Sequence, residues 1–255
     1  MALLEVRRLD KRFGGLTAVN EIDFSIEPGE LLSIIGPNGA GKTTLFNLLT
    51  GIYSPSAGEI RFNGRDITGC KPHQAARSGI ARTFQKTTIY HEETVLDNVV
   101  IGKSVNAKTG VLGAILKTPS NRREESRAYE NGRDILSFVG LHDRDNQIAG
   151  ELTEEAQKRL SIAVALAIDP KLLLLDEPTG GVNLEEIDGL IDLIERVRKS
   201  GITVCLIEHK MRMVMSISDR IIVLNYGKNI AEGTPGEVAG NEQVIKAYLG
   251  ERYAA

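Results

Sequence analysis

The chain has 255 residues with 42% hydrophobic and 25% charged side chains, which suits one large soluble domain or a core with a subdomain. Its net charge of −3 makes nucleic acid an unexpected partner, because nucleic-acid binders usually carry a basic surface. Its two cysteines, Cys70 and Cys205, do not form a CxxC pair, so we expect a reducing compartment, no disulfide framework and no cysteine metal site.

The N-terminal part predicts strands followed by a glycine loop and a helix. The start, MALLEVRRLDKRF, reaches charged residues too early for the apolar core of a signal peptide, and residues 3–9 are the first strand candidate. After a turn at Pro28 and Gly29, the apolar run Leu31–Ile35 ends at a glycine, which is typical of a strand buried on both faces. The helical leucine spacing of KTTLFNLLTGI follows this glycine loop.

The middle of the chain is more polar and predicts an inserted helical subdomain. Apolar residues between 124 and 141 repeat with helical spacing, and the four leucines at 172–175 then resume the core as a strand. No apolar run approaches the ~20 residues that span a bilayer, so a membrane role would require another chain. We expect a single domain over 1–255, with the core at 1–85 and 161–225, the helical subdomain at 86–160, and a hairpin and helix at 226–255.

The segment GPNGAGKTT at 36–44 matches the phosphate-loop pattern G-x-x-x-x-G-K-[ST], between a predicted strand and a predicted helix. Glycines let backbone N–H groups turn toward phosphate oxygens, and the helix presents its positive N-terminal end. Lys42 can place its charge on the β- and γ-phosphates, and the Thr43 hydroxyl can ligate Mg²⁺. The predicted nucleotide-binding residues of this loop are Gly36, Pro37, Asn38, Gly39, Ala40, Gly41, Lys42, Thr43 and Thr44.

Two carboxylates complete the predicted site. Asp176 stands at the end of the four-leucine strand, where it can hold Mg²⁺ directly or through water. Glu177 follows it and can orient or deprotonate the attacking water. Together with the phosphate loop, this pair predicts a nucleoside triphosphatase but does not say which kind.

Three further segments accompany these motifs: ARTFQK with Gln85, PTGGVN after Glu177, and EH with His209. Together and in this order they resemble the ATP-binding cassette family, the motor subunits of ABC transporters. The resemblance covers essentially the whole chain. It implies ATP and Mg²⁺ as ligands and an α/β fold, a P-loop NTPase core of mixed sheet and flanking helices with an inserted α-helical subdomain and an N-terminal antiparallel β portion.

The resemblance also implies roles for single residues. Gln85 would lie in the switch loop that senses Mg²⁺ and faces the membrane partner, and His209 would contact the γ-phosphate beside the catalytic Glu177. Residues 180–183 would form the loop that crosses the dimer interface. Phe13, in KRFGG, matches the aromatic position that stacks on adenine, with a core phenylalanine as the alternative.

A narrower resemblance rests on RFGGLTAVN, RTFQ, LKTPSNRR, IEHKM, SDRIIVLNYGK and the AYLGE ending. These segments are similar to the larger ATP-binding subunit of branched-chain amino-acid importers, and they leave open which amino acid or amide is carried. The resemblance implies an ATPase at the cytoplasmic face of the inner membrane that drives uptake through separate permease subunits, served indirectly by a solute-binding protein. A cassette ATPase acting on DNA or ribosomes lacks support, since we see no coiled-coil arm, second cassette or basic stretch.

The residues that align with the family signature L-S-G-G-Q lack its glycines. They are Leu152, Thr153, Glu154, Glu155, Ala156 and Gln157. In the family this segment meets the γ-phosphate of the ATP held by the opposite subunit. Glu155 would add bulk there and would bring its negative charge near the phosphate. Two unit charges ~5 Å apart repel by roughly 3 kcal/mol at an effective dielectric near 20. The same residues make a favourable helix start with Thr153 as N-cap, and a Glu155 that turns outward would leave the backbone able to donate.

The altered signature predicts a heterodimer with a second ATP-binding subunit. ATP bound to this chain's own phosphate loop would meet the partner's signature and be hydrolysed competently, while the partner's ATP would meet the glutamates and be hydrolysed poorly. A homodimer would have two poor composite sites. A nucleotide switch that does not hydrolyse ATP is the alternative.

Overall fold

An N-terminal run of strands precedes alternating strands and helices in the computed structural model, which describes residues 1–84, 89–103, 119–183 and 185–253. The strands are β1 (Leu4–Phe13), β2 (Leu16–Ile26), β3 (Leu31–Ile35), β4 (Ala57–Phe62), β5 (Arg65–Asp66), β6 (Ile80–Arg82), β7 (Leu172–Asp176), β8 (Thr203–Ile207), β9 (Arg220–Asn225) and β10 (Lys228–Gly233). The helices are α1 (Lys42–Leu49), α2 (Pro72–Ser78), α3 (Val95–Lys103), α4 (Pro119–Val139), α5 (Glu154–Leu166), α6 (Ile187–Lys199), α7 (Met211–Ile217), α8 (Pro235–Ala239) and α9 (Glu242–Tyr253).

The strands form two sheets. One is antiparallel with the order β2-β1-β4-β5, and it confirms the expected N-terminal antiparallel portion. Here β1 continues past the predicted end at residue 9, because β2 keeps pairing with it as far as Phe13 and Leu16. The other has the order β10-β9-β3-β8-β7-β6, parallel except for the β9–β10 pair, and confirms the mixed sheet of a P-loop core.

The central strands β3 and β7 are buried along their whole length, as the apolar runs predict. On one face, Leu32 and Ile34 pack with α1 and the antiparallel sheet. On the other, Leu173 and Leu175 pack with residues of α3, α4, α5 and α6 in one continuous cluster. The helices of the predicted subdomain therefore rest directly on the core sheet. The helix α5 crosses the predicted boundary between residues 160 and 161, so no break in structure marks that boundary. The division into core and subdomain stays a prediction.

The chain ends in the predicted hairpin and helix. Tyr226 and Gly227 have φ values of +46° and +75°, the left-handed conformation that a two-residue hairpin turn requires. Thr234 then caps α8, since its hydroxyl accepts from the Glu237 amide and the Glu237 carboxylate accepts from the Thr234 amide. No helix among the described residues combines the length and apolar character that crossing a bilayer requires.

Candidate nucleotide-binding site

The phosphate loop leaves the carboxyl end of β3, and its glycines serve two different purposes. A Cβ on Gly36 would lie 2.1 Å from the Leu224 carbonyl oxygen, and one on Gly41 would lie 2.3 Å from that of Ala18. These two positions exclude a side chain because the loop packs closely on its neighbours. Gly39 also has a left-handed φ of +79°, but a Cβ there would meet nothing within 4 Å. Gly39 is exposed, and the space beside it is open to an incoming anion.

The start of α1 is suited to bind an anion. Its N-cap, Gly41, makes no side-chain capping bond, and its first turn holds no acidic residue, so the positive helix end is left to a ligand. Lys42 is buried and its Nζ donates to the carbonyls of Gly36 and Pro37 at 2.7 and 2.9 Å. Thr43 is exposed beside it, with a hydroxyl that can ligate a metal ion. The predicted loop residues thus lie together at one edge of the parallel sheet.

Asp176 reaches the same edge of the sheet from β7. It is 3% exposed, and its Oδ2 accepts a 2.7 Å hydrogen bond from Nη2 of Arg82, at the end of β6. Its amide donates to the Thr83 hydroxyl at 3.4 Å. A buried carboxylate is costly without a partner, and the equally buried guanidinium of Arg82 supplies one. Sequence reasoning did not select Arg82, although this arginine lies within the segment ARTFQK that was quoted for Gln85.

Glu177 and His209 face each other at the ends of neighbouring strands β7 and β8. Glu177 has a left-handed φ of +49°, an uncommon conformation for a residue other than glycine, and its amide donates to the Ile207 carbonyl at 2.9 Å. The His209 Nδ1 lies 3.9 Å from Glu177 Oε1, too far for a hydrogen bond. The His209 side chain is 57% exposed, so it can reach a ligand in front of the sheet.

A second buried carboxylate, Glu208, holds the loop after Glu177 to the loop of His209. Glu208 is fully buried and accepts from the Thr179 hydroxyl at 2.6 Å and from the His209 amide at 2.8 Å. In the opposite direction, Lys210 Nζ donates to the Thr179 carbonyl at 3.0 Å. These reciprocal bonds fix the two loops against each other. Sequence reasoning noted that Glu208 and His209 follow the apolar strand TVCLI but gave a role only to His209.

Phe13 lies at the surface of the antiparallel sheet. Its side chain is 42% exposed and packs edge-to-face on Tyr53, with ring centroids 5.3 Å apart. The ammonium of Lys11 stands 4.9 Å from the Phe13 centroid. The alternative of a core phenylalanine is therefore wrong, and an exposed ring face suits stacking on a nucleobase. Tyr53 was not singled out from the sequence.

The altered signature forms the start of α5. The Thr153 hydroxyl accepts from the Ala156 amide at 3.3 Å, which is the predicted N-cap. The Glu155 carboxylate turns along the helix and forms an ion pair with Arg159, which also donates to the Val139 carbonyl. Leu152 and Ala156 are buried, and Gln157 Nε2 donates to the Leu152 carbonyl at 3.0 Å.

Glu154 has a different environment from Glu155. It is exposed, and its Oε2 lies 3.5 Å from where a Cβ on Gly181 would stand, in the loop expected to cross the dimer interface. Beneath it, burial lowers the pKa of Lys158, and the carboxylates of Glu154 and Glu177 act in the opposite direction. The negative charge that the signature presents outward is therefore mainly that of Glu154.

Gln85 lies outside the described residues, but its neighbours border an open cleft of about 470 Å³ between β6 and the helices α2, α3 and α5. The cleft is mainly apolar. Phe84 and Tyr90 at its rim are 41% and 59% exposed. Ile101 and Val164 line its helical side. Exposed aromatic and aliphatic side chains of this kind are typical of a protein interaction site.

Comparisons with known proteins agree with this geometry. Residues 19–180 match the family model described as ABC transporter, and residues 228–254 match that of the branched-chain amino acid ATP-binding cassette transporter. The chain is 46% identical to the high-affinity branched-chain amino acid transport ATP-binding protein BraF of Pseudomonas aeruginosa, over 98% of both chains. It is 44% identical to the high-affinity branched-chain amino acid transport ATP-binding protein LivG of Escherichia coli K12, again over 98% of both chains.

Solved structures are similar over the same extent. A nucleotide-free ATP-binding cassette from an ABC transporter has a TM-score of 0.86 at 31% identity, covering 97% of this chain and 99% of that one. The ADP conformation of an ATP-binding cassette of an ABC transporter has the same TM-score at 32% identity, covering 98% and 99%.

Proposed function

Because the chain belongs to the ABC transporter family, we propose that this ABC-type ATPase is the ATP-hydrolysing subunit of an importer for branched-chain or related amino acids. The observation that carries the proposal is the convergence of the phosphate loop, Asp176, Glu177 and His209 at one edge of the parallel sheet. The substrate class rests on the names of the relatives and on the C-terminal match over residues 228–254.

Each residue at this edge of the parallel sheet has a separate role in phosphoryl transfer. The Gly39 backbone and the start of α1 bind the triphosphate, and Lys42 leaves its carbonyl partners to pair with the β- and γ-phosphates. Glu177 accepts a proton from the water that attacks the γ-phosphorus, and the bond from that phosphorus to the ADP oxygen breaks. His209 donates to the transferred phosphoryl group.

Mg²⁺ fits the donors present. Thr43 offers an exposed hydroxyl and Asp176 a carboxylate, and hard oxygen ligands of this kind are those that Mg²⁺ takes beside substrate phosphates. When bound, it neutralises charge on the β- and γ-phosphate oxygens. Gln85 would sense the same ion from the segment that precedes Tyr90 at the cleft rim.

Membrane permease subunits are the proposed partners in transport. The apolar cleft is lined by Phe84, which precedes Gln85 in the chain, and by Arg82, which contacts Asp176, so a permease segment seated there would contact residues that lead to the catalytic edge. Because the permease carries the solute path, the cassette would sit as a peripheral subunit on the cytoplasmic face of the inner membrane. A solute-binding protein would deliver the amino acid from the other side.

A second ATP-binding subunit completes the proposed complex. This chain's signature presents Glu154 in place of a glycine, which favours a partner that supplies an intact signature to the ATP held here. The alternative of a nucleotide switch that does not hydrolyse ATP is also favoured by Glu154. Turnover measured with and without the permease and the second subunit separates them, because the switch stays inactive in the full complex.

The experiment that tests the function is purification of the tagged chain from membranes with its natural partners. We expect permease subunits and a second cassette to come with it and the complex to hydrolyse ATP. Lys42→Ala should abolish that turnover without dissociating the complex. Lys171→Ala is the matched control, because Lys171 is exposed at the opposite end of β7. Unchanged ATP affinity and turnover in Lys42→Ala would refute the assignment.

A further inference from the structure

Arg82 connects the two elements that carry the Mg²⁺ donors. Its side chain is 5% exposed, and it donates to Asp176 Oδ2 at 2.7 Å on β7. It also donates to Asn47 Oδ1 at 2.6 Å on α1. Asn47 lies four residues after Thr43 on that helix, so the two share one helix face. A single guanidinium therefore spans the helix of Thr43 and the strand of Asp176.

Aromatic rings cover this guanidinium on two sides. The Arg82 Cζ lies 5.5 Å from the Phe46 ring centroid and 4.9 Å from that of Phe84, distances at which cation–π attraction acts. Phe46 is fully buried, whereas Phe84 is 41% exposed at the cleft. The Nε of Arg82 is buried without a hydrogen-bond partner among the described residues. The two rings therefore hold the guanidinium of Arg82 in place, although they leave its Nε–H without a hydrogen bond.

The planar fork of arginine suits this bridging position. It presents separate N–H groups in a fixed geometry, so one nitrogen can hold Asp176 while another holds Asn47. Lysine, with one ammonium on a flexible stem, cannot set the two partners at a fixed separation. The bond from Arg82 to Oδ2 of Asp176 thereby fixes the orientation of that carboxylate at the end of β7.

We propose that Arg82 is the positioning residue that sets the Thr43–Asp176 pair for Mg²⁺, and that Phe84 covers it from the cleft. The inference rests on the proposed function, because it requires Mg·ATP at this edge. It predicts that loss of the fork weakens Mg²⁺ binding to the ATP complex while binding of ATP without the metal is retained, since the phosphate loop is untouched.

The test measures the thermal stabilisation of the full chain by ATP, first with EDTA and then with rising Mg²⁺, so no turnover is required. In Arg82→Lys and Arg82→Met we expect the Mg²⁺ concentration for half-maximal stabilisation to rise roughly tenfold to a hundredfold, the range of one lost charge-assisted hydrogen bond. Asn47→Ala, which leaves the ion pair with Asp176 intact, should give a smaller rise. In EDTA, the ATP concentration that gives half-maximal stabilisation of these variants should stay within about twofold of the wild-type value.

Arg220→Lys is the matched control. Arg220 donates to Glu30 at 2.7 Å, at the amino end of β9 and away from the phosphate loop. Its substitution should lower the melting temperature without moving the Mg²⁺ midpoint. If the Mg²⁺ concentration for half-maximal stabilisation is unchanged or lowered in both Arg82 variants, the positioning role of Arg82 is refuted and the proposed function still stands. A wild-type chain whose ATP complex is insensitive to Mg²⁺ overturns the metal role of Asp176 as well, and one that ATP does not stabilise overturns the proposed function.

Discussion

Changing Glu154 to glycine should strengthen ATP-dependent self-association of this chain, and changing Glu155 should do so much less. The reason is the direction of the two carboxylates. Glu155 is held by Arg159 along α5, whereas Glu154 is exposed beside Gly181 on the surface that a partner's ATP would meet. The experiment uses a Glu177→Gln background, in which hydrolysis should not disperse the dimer.

The size of the effect follows from the charge. Two unit charges ~5 Å apart repel by roughly 1 kcal/mol in water and roughly 3 kcal/mol at an effective dielectric near 20. Removal of an exposed Glu154 should therefore strengthen each composite site by roughly fivefold to a hundredfold. The change removes an acidic residue from the first turn of α5, which costs about 0.3–1 kcal/mol of helix stability. This loss is shared by the folded monomer and the dimer, so it should lower the melting temperature without opposing the gain in association.

Glu155→Gly has the opposite balance. It removes an ion pair whose side chains are only 16% and 17% exposed, and it places glycine in a helix. We expect a loss of about 1–2 kcal/mol in the free energy of unfolding and little gain in association. The double glycine variant should therefore associate no better than Glu154→Gly and melt at a lower temperature.

Sedimentation velocity with Mg·ATP decides between these outcomes. A Glu177→Gln chain that already dimerises tightly, and gains nothing from either glycine, would mean that both glutamates point away from the phosphate, and the case for unequal sites would fail. A larger gain from Glu155→Gly than from Glu154→Gly would refute the assignment of the outward charge to Glu154.

Other substitutions test single parts of the site and its support. Glu177→Gln should bind ATP and stall before hydrolysis, because the amide keeps the size of the side chain but removes the base; wild-type phosphate release at this chain's own site in the assembled complex would exclude that role. Thr153→Ala should lower the free energy of unfolding by about 1 kcal/mol through loss of the α5 cap, and an unchanged urea midpoint would contradict the cap. Gly39→Ala should still fold but should bind ATP more weakly. Gly41→Ala should be strongly destabilised, because its Cβ would lie 2.3 Å from the Ala18 carbonyl oxygen. Equal melting temperatures for the two glycine variants would refute that distinction.

Local patterns in the sequence were enough for the central strands, the phosphate loop and the caps. The run Leu31–Ile35, the glycines after it and Lys42 are neighbours in sequence, and their conformation follows from burial and from backbone freedom at short range. The cap at Thr153 likewise needs only the amide three residues on. Asp176 and Glu177 were predictable because a buried strand ends at them.

The contacts that organise the site could not be predicted in this way. Arg82 and Asp176 are 94 residues apart in the chain and meet because β6 lies beside β7. Glu208 reaches Thr179 because β7 and β8 are neighbours.

Sequence reasoning placed the repulsion on Glu155, but in the structure that carboxylate pairs with Arg159 along α5, and Glu154 is the exposed one. A helix start places both carboxylates in the first turn, and only the position of Arg159, which also binds the Val139 carbonyl at the end of α4, draws Glu155 away from the surface and leaves Glu154 there. The sequence alone therefore determined which chemical groups the chain carries and which short segments present them. Tertiary structure decided which charges are paired, because pairing depends on strand order and helix packing that bring distant residues within hydrogen-bond distance.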